Sequence, residues 1–189
     1  MTKELKRVFY LNDLVEDKTV KDIIKDLRET LAHDKKQSDT LKEYKPEPIQ
    51  LFIDSYGGYI YDGLALANLL NESETPIHTH CYGKAMSMGL YLFLCGDVRY
   101  VHEDATLMYH QLSSGAWGKH GDLLIAVEQK TKLHKMLTKR VKAKLTDKGQ
   151  KLINRSNKEK SDWYLSGKEA LKYGFATDVI SYKDKKGDK

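Results

Sequence analysis

Short apolar stretches alternate with amphipathic segments along this chain, as they do in proteins whose strands and helices follow one another. The apolar stretches are rich in β-branched and aromatic residues and are bounded by Gly, Pro, Asn or Asp, a pattern that predicts strands. Their apolar faces must be covered by the segments between them. The predicted strands are Arg7–Leu11, Ile49–Ile53, Pro76–Tyr82, Val98–Val101, Thr106–Tyr109 and Phe175–Ser181.

The segments between the strands have helical spacing. From Asp17 to His33 the apolar positions recur on one face of a helix. Ser166 and Glu169 form the pattern of a capping box, which predicts a helix that ends before Gly174. The other predicted helices are Gly63–Leu70 with Asp62 as its cap, Met88–Leu94 with a stop at Gly96, and Gly121–Leu145.

One long stretch fits neither pattern. Polar, turn-forming and helix-breaking residues fill the chain from His33 to Pro48, which predicts a loop. A loop of this length in a compact domain is uncommon and often functional or mobile. Elsewhere strands alternate with helices. The sequence therefore predicts an α/β fold of repeated βαβ units, with the Gly121–Leu145 helix as an arm inserted late in the pattern.

Composition limits the class of protein further. A chain of 189 residues with 40% hydrophobic and 31% charged residues is long enough for one domain with a sizeable core. No apolar run approaches the roughly 18 residues that a membrane span needs. The first residues also lack the apolar stretch of a signal peptide. We therefore expect a cytoplasmic protein that does not cross a membrane.

Charge and cysteine usage exclude two more classes. The net charge is +5, and basic residues are concentrated between Lys130 and Lys160 without the interleaved aromatic residues of a single-strand binding surface. A solvated helix face is the simpler interpretation, so we expect no nucleic-acid partner. Cys81 and Cys95 lie in apolar surroundings and are expected in the core. With no CxxC or HExxH spacing, no metal site is expected.

Ser87 is the first candidate for chemistry. It lies in the segment Gly83-Lys-Ala-Met-Ser-Met-Gly89, between a predicted strand and a short apolar helix. Unpaired N–H groups and the helix dipole at such a place stabilise developing negative charge, which suits a nucleophile whose reaction forms an oxyanion. The plainer interpretation of this residue alone is an ordinary N-cap serine.

Two other local features could serve the same chemistry. Gly57 and Gly58 follow a strand directly, and the N–H of Gly58 could be an oxyanion donor, although a plain turn explains the pair equally well. His110, one of seven histidines, ends a strand. An imidazole is the usual base that takes a serine proton at neutral pH, but a lone strand histidine is more often structural.

Taken together and in order, these motifs resemble the proteolytic subunit of the Clp protease, a family of caseinolytic serine peptidases, over residues 7–181. The chain is similar to a divergent or phage-encoded member. The corresponding segments are Arg7–Leu11 for the first strand, Asp54–Gly58 for the family's Asn-Ser-Pro-Gly-Gly, Gly83–Gly89 for its nucleophile loop, Met108–Gln111 for its Met-Ile-His-Gln, and Asp162–Ala170 for its Asp-x-Phe-Leu-Ser-x-x-Glu-Ala.

The resemblance implies a role for each matching residue. Ser87 would attack a peptide carbonyl, His110 would act as general base and then acid, and Asp162 would orient His110. The N–H groups of Gly58 and Met88 would form the oxyanion hole. Without the resemblance, Asp162 would be interpreted as a surface acid near a turn.

The resemblance also implies an architecture and partners. The fold would be a crotonase-type spiral of βαβ units with an α-helical handle at about residues 119–160, in a single peptidase domain of residues 1–182 followed by a polar tail of residues 183–189. Subunits would form a heptameric ring and enclose a chamber in which unfolded polypeptides are cleaved. The subunit would need no cofactor, and ATP would be used by a partner unfoldase of the AAA+ Clp type.

Some positions depart from the family pattern. Tyr56 and Leu112 replace prolines, and the segment before Arg7 is shorter than the one that usually forms axial gating loops. Ser161 stands where the family tends to carry an arginine that helps to join two rings. A single ring and two stacked rings therefore both remain open.

Two alternative functions stay open at this point. A crotonase-type enzyme acting on an acyl-CoA would share the fold and the oxyanion donors, but its chemistry relies on a carboxylate, and no convincing Glu lies in Gly83–Gly89. A non-catalytic assembly subunit of the same family is the second alternative. Such subunits lose triad residues, whereas Ser87, His110 and Asp162 are all present.

Overall fold

The computed structural model describes residues 5–182, so the predicted tail of residues 183–189 lies outside the described residues. Strands and helices alternate along that range. The strands are β1 (Val8–Leu11), β2 (Ile49–Ile53), β3 (Ile77–Cys81), β4 (Lys84–Met86), β5 (Val98–His102), β6 (Thr106–Tyr109), β7 (Trp163–Ser166) and β8 (Asp178–Ile180). The helices are α1 (Asp17–Thr40), α2 (Ile60–Asn71), α3 (Met88–Phe93), α4 (His120–Ala143), α5 (Asp147–Glu159) and α6 (Gly167–Tyr173).

A five-stranded parallel sheet forms the centre of the fold, in the order β1-β2-β3-β5-β8. Alternate residues of β1, β2, β3 and β5 are buried, as the period of two requires when one face of a sheet packs against helices. The buried face and the helices that cover it share side chains such as Phe9, Leu51, Leu66 and Phe93. The α/β class predicted from the sequence is confirmed.

A second, three-stranded sheet lies beside the first, in the order β4-β6-β7. Strands β4 and β6 are parallel, and β6 and β7 are antiparallel. A bridge between Ser55 and Ala85 connects β4 to the end of β2. Because β4 and β6 run in the same direction, the residues that follow them emerge at the same edge. Those residues are Ser87 and His110.

The predicted loop from His33 to Pro48 is wrong in its first half. Helix α1 continues to Thr40, so only the segment after it is irregular. The cause is Asp34, whose side chain is buried although the local sequence is polar. Its carboxylate accepts two hydrogen bonds from the Arg7 guanidinium, at 2.6 and 2.9 Å, and one each from Tyr44 Oη at 2.7 Å and Thr75 Oγ1 at 2.9 Å. The helix must extend far enough to place Asp34 among these donors.

The Asp34 contacts also determine its protonation. Burial by itself raises the pKa of a carboxyl, but the hydrogen bonds from Arg7, Tyr44 and Thr75 and the charge of Arg7 outweigh it and lower the pKa to about 2. The carboxylate is therefore charged at all physiological pH values. It joins the start of β1 to the distal end of α1, the segment after α1 and the start of β3.

Several helix and strand ends differ from the predictions. Asp62 is not the cap of α2, because the N–H of Gly63 already donates to the carbonyl of Tyr59 and the helix begins at Ile60. The last strand is shorter than predicted, because the N–H groups of Phe175 and Ala176 both donate to the carbonyl of Ala170 and complete the end of α6. Strands β4 and β7 and helix α5 were not predicted as such.

Other predictions are confirmed. The capping box of Ser166 and Glu169 opens α6, and Gly174 ends that helix at a positive φ of 86°. Cys81 and Cys95 are free and buried, and burial raises the pKa of both thiols, to about 12 and about 11. In the described part of the chain, no helix is both long and apolar enough to span a lipid bilayer. The predicted domain limits, 1–182, stay a prediction, and α4 and α5 occupy the predicted handle segment.

We expect Asp34→Ala to lower the free energy of unfolding by about 3–5 kcal/mol, because it leaves a guanidinium and a buried hydroxyl without their acceptor. Urea denaturation at one fixed protein concentration measures this. Asp26→Ala is the matched control, since Asp26 on the same helix forms only an exposed ion pair with Lys6 at 3.3 Å, worth at most about 1 kcal/mol. The stability from Asp34 is present above its ordinary pKa of 3.8 and is lost as the pH falls towards 2. A loss for Asp34→Ala no larger than the control's would contradict this role.

Candidate active site

Ser87 occupies a strained turn between β4 and α3. It has φ 53° and ψ −119°, and Ser87 and Lys160 are the two non-glycine residues with positive φ in the described range. Such a backbone costs of order 1–3 kcal/mol and persists only where the surroundings enforce it. The Ser87 N–H donates to the carbonyl of Met108 at 3.0 Å, and the Ser87 carbonyl accepts from Tyr91 N–H at 3.1 Å. Every residue of α3 is buried, so the helix holds the turn in place.

His110 lies directly beside Ser87. The Nε2 atom of His110 is 2.7 Å from Ser87 Oγ. At this distance the hydroxyl donates to Nε2 when the imidazole carries its proton on Nδ1. The residues that emerge from β4 and β6 thus meet at the edge of the small sheet, in a geometry suited to removal of the hydroxyl proton.

Asp162 is close in the backbone but is not joined to His110. Strands β6 and β7 pair Tyr109 with Trp163, and His110 and Asp162 are the next residues beyond that pair, outside both strands. Asp162 is exposed, and within residues 5–182 no hydrogen bond connects its carboxylate to the imidazole. The structure therefore brings together two of the three residues that the resemblance implied and leaves the third alongside.

The glycine pair packs tightly against the Ser87 turn. Gly57 has a φ of 101°, and a Cβ there would lie 2.7 Å from both Ser87 Cβ and Met86 O. The N–H of Gly57 donates to Ser55 Oγ at 3.0 Å. Within the described residues, the N–H groups of Gly58 and Met88 have no acceptor, and Met88 is the first residue of α3, where an unpaired N–H is usual. Both residues line the pocket that contains Ser87.

That pocket has a volume of about 240 Å³. Part of its lining consists of Ser87, His110, Gly58 and Met88. The rest is supplied by α2, α3, strand β6 with the segment after it, and helix α4. The residues of that wall are Ile60, Leu90, Tyr91, Tyr109, Leu112, Ser113, His134, Leu137, Thr138 and Val141.

Two parts of this site were not predicted from the sequence. Asp54 Oδ1 accepts from the N–H and from Nζ of Lys84, both at 3.0 Å, and so fixes the start of the Gly83–Gly89 turn. The hydrogen bond to Asp54 raises the pKa of Lys84. His134 and Thr138 of α4 also line the pocket. Their spacing with Leu137 and Val141 is that of one helix face, which was the available signal.

Over the described residues, no group of three or more His, Cys, Asp or Glu side chains is arranged to hold a metal ion. A hydroxyl beside an imidazole, at the N-terminus of a buried helix, is suited to nucleophilic attack on a carbonyl carbon.

The family model for the Clp protease matches residues 3–183. The chain therefore belongs to the Clp protease family and is a serine-type peptidase, as the sequence motifs predicted. The ATP-dependent Clp protease proteolytic subunit of Deinococcus radiodurans is 36% identical to it over 143 residues, which cover 74% of this chain and 69% of that protein.

We expect Gly57→Ala to slow the labelling of Ser87 by a fluorophosphonate probe at least about tenfold, because the added Cβ must displace the Ser87 turn. Mass spectrometry of the labelled peptide measures the rate. Gly121→Ala in α4 is the control, since nothing lies within 4 Å of a Cβ there. Equal labelling rates in both variants would show that the glycine does not shape this turn.

Proposed function

We propose that this chain is an endopeptidase that cleaves unfolded polypeptides, with Ser87 as nucleophile and His110 as general base. The 2.7 Å distance between Ser87 Oγ and His110 Nε2 carries this proposal. The strained Ser87 backbone supports it, because strain that is retained at one residue is characteristic of functional sites.

The reaction follows from the positions of the groups. His110 Nε2 takes the hydroxyl proton as Ser87 Oγ attacks the peptide carbonyl carbon, and the carbonyl oxygen becomes an oxyanion. The N–H groups of Gly58 and Met88, which lack acceptors within the described chain, are the proposed donors to that oxyanion. The protonated imidazole then gives its proton to the leaving amine. Water next attacks the acyl group on Ser87 Oγ, while His110 takes a proton from the water and returns it to Ser87 Oγ.

Asp162 is the proposed positioning group for His110. Its place along the backbone supports this role, because Asp162 directly precedes β7 and His110 directly follows β6, next to the paired residues Tyr109 and Trp163. A carboxylate on Nδ1–H would hold the tautomer that leaves Nε2 free to accept the Ser87 proton.

We further propose that copies of this chain assemble into a ring that encloses the active sites. Family membership supports this proposal. It is also supported by exposed apolar side chains in and beside the predicted handle, because burying them between copies would stabilise an assembly; these are Trp117, Leu124, Ile125 and Val127. We propose that an AAA+ unfoldase consumes ATP and delivers substrates, while this subunit needs no cofactor. The relative from Deinococcus radiodurans is named an ATP-dependent subunit. We assign the assembly to the cytoplasm, in keeping with the two free thiols.

We expect Ser87→Ala to abolish both fluorophosphonate labelling and hydrolysis of an unfolded protein such as casein, because no other hydroxyl is bonded to His110 in the described chain. Ser113→Ala is the matched control, since Ser113 lines the same pocket and, within the described residues, forms no hydrogen bond with His110. Light scattering on the same samples measures the assembled mass as a multiple of the 21.7-kDa chain. Labelling at another residue, or undiminished hydrolysis by Ser87→Ala, would refute the assignment.

We expect Asp162→Asn to lower kcat by roughly 10²–10⁴-fold with little change in KM. The neutral amide favours the wrong tautomer of His110 and does not stabilise the imidazolium that forms during the reaction. Asp178→Asn is the control, since Asp178 is an exposed acid on the distant strand β8. Steady-state hydrolysis of a fluorogenic peptide gives both constants. A kcat within twofold of the unmodified protein would remove Asp162 from the mechanism.

A further inference from the structure

A second histidine lies in the pocket beside Ser87 and has no part in the proposed reaction. His134 is on α4, half-buried, and shares one face of that helix with Leu137, Thr138 and Val141, all of which line the pocket. Within the described residues its imidazole has no hydrogen-bond partner, so its ring nitrogens remain available to a ligand. His134 therefore lines the same pocket as Ser87 and His110, from the wall that α4 supplies.

The pocket carries no fixed charge. Among the described residues that line it, none is Asp, Glu, Lys or Arg, and apolar side chains such as Ile60, Met88, Leu90 and Leu112 predominate. His110 and His134 are the two imidazoles among the described lining residues, and an imidazole can change its charge within the physiological pH range. The charge of the wall that α4 supplies to this pocket thus depends on the protonation of the His134 imidazole.

The surroundings of His134 favour its neutral form at pH 7. Two further cavities reach it from the solvent side, and their described linings contain lysines but no carboxylate. The cationic neighbours on its own helix are Lys130, Lys135, Lys139 and Lys142. The residues that approach His134 from the segment after β6 are His110, Gln111 and Leu112. Asn157 approaches it from α5. Burial lowers the pKa of His134 below its ordinary 6.5, and no anion opposes this effect.

The position of the pocket determines which part of a substrate enters it. A peptide carbonyl attacked by Ser87 must place its oxygen near the N–H groups of Gly58 and Met88. The residue that contributes this carbonyl then has its side chain beside the pocket mouth, because Gly58, Ser87 and Met88 all border the same space. The side chain on the acyl side of the scissile bond is therefore the one that reaches α4.

We propose that His134 determines the charge preference of this peptidase for the residue on the acyl side of the cleaved bond. The neutral imidazole accepts an apolar side chain such as Leu. The protonated imidazole, with the lysines of α4 behind it, accepts a carboxylate such as Glu and disfavours an apolar side chain. This inference deepens the proposed function and rests on it, since it takes Ser87 as the attacking group.

The test compares two internally quenched peptides that differ only in Leu or Glu at that residue, cleaved by the assembled full-length protein between pH 5 and pH 8. The measured quantity is the ratio of kcat/KM for Leu over Glu. Any effect of pH on the catalytic step itself is common to both substrates and cancels in the ratio. We expect the ratio to fall about tenfold from pH 8 to pH 5, the order expected for one partly solvated charge near a carboxylate.

Three variants make the result specific. In His134→Leu we expect the ratio to be high and independent of pH; in His134→Lys we expect it to be low at every pH. His120→Leu is the matched control, because His120 is an exposed histidine on the same helix and outside the pocket, and its ratio should follow that of the unmodified protein. A flat ratio in the unmodified protein, or a pH-dependent ratio that persists in His134→Leu, overturns the proposal.

The same peptides separate this inference from the function on which it rests. If Ser87→Ala cleaves neither peptide while the unmodified protein cleaves both with a flat ratio, the peptidase assignment stands and the role of His134 fails. If Ser87→Ala cleaves them as well as the unmodified protein does, the assignment of the nucleophile fails first. Light scattering on each variant confirms that the assembly is intact before its ratio is compared.

Discussion

The hydrogen bond from the Ser87 N–H to the carbonyl of Met108 is the constraint on which the site depends. It joins the turn after β4 to strand β6, which His110 directly follows, and therefore sets the distance between the hydroxyl and the imidazole. The buried helix α3 prevents the turn from relaxing to a more favourable φ. Gly57 makes the arrangement possible, because any larger residue would occupy the space of the Ser87 side chain.

Local sequence patterns were sufficient where the structure is decided locally. The apolar, β-branched strands β1, β2 and β3 and the capping box of α6 were predicted close to their observed ends. The patterns failed where distant residues decide. Helix α1 extends into the predicted loop because Asp34 accepts hydrogen bonds from Arg7 and Thr75, neither of which is near it in sequence. Strand β4 has only three residues, and its pairing with β6 comes from a segment 22 residues further along the chain.

The candidate site divides in the same way. Ser87, His110 and the glycine pair stand in short motifs, and their order along the chain carries the resemblance to the Clp protease family that the comparisons confirmed. The lysine contact of Asp54 and the place of His134 on the pocket wall could not be predicted, because each depends on how separate elements pack. Asp162 lies between these cases: its motif was recognisable, and the backbone register explains its neighbourhood, but its side-chain direction is not encoded in either.

The small sheet has a mechanical consequence for the candidate site. Ser87 and His110 follow adjacent parallel strands of one three-stranded unit. The bridge between Ser55 and Ala85 and the hydrogen bonds from Lys84 to Asp54 join this unit to the end of β2. A displacement of the unit as a whole would therefore carry the hydroxyl and the imidazole together rather than separate them.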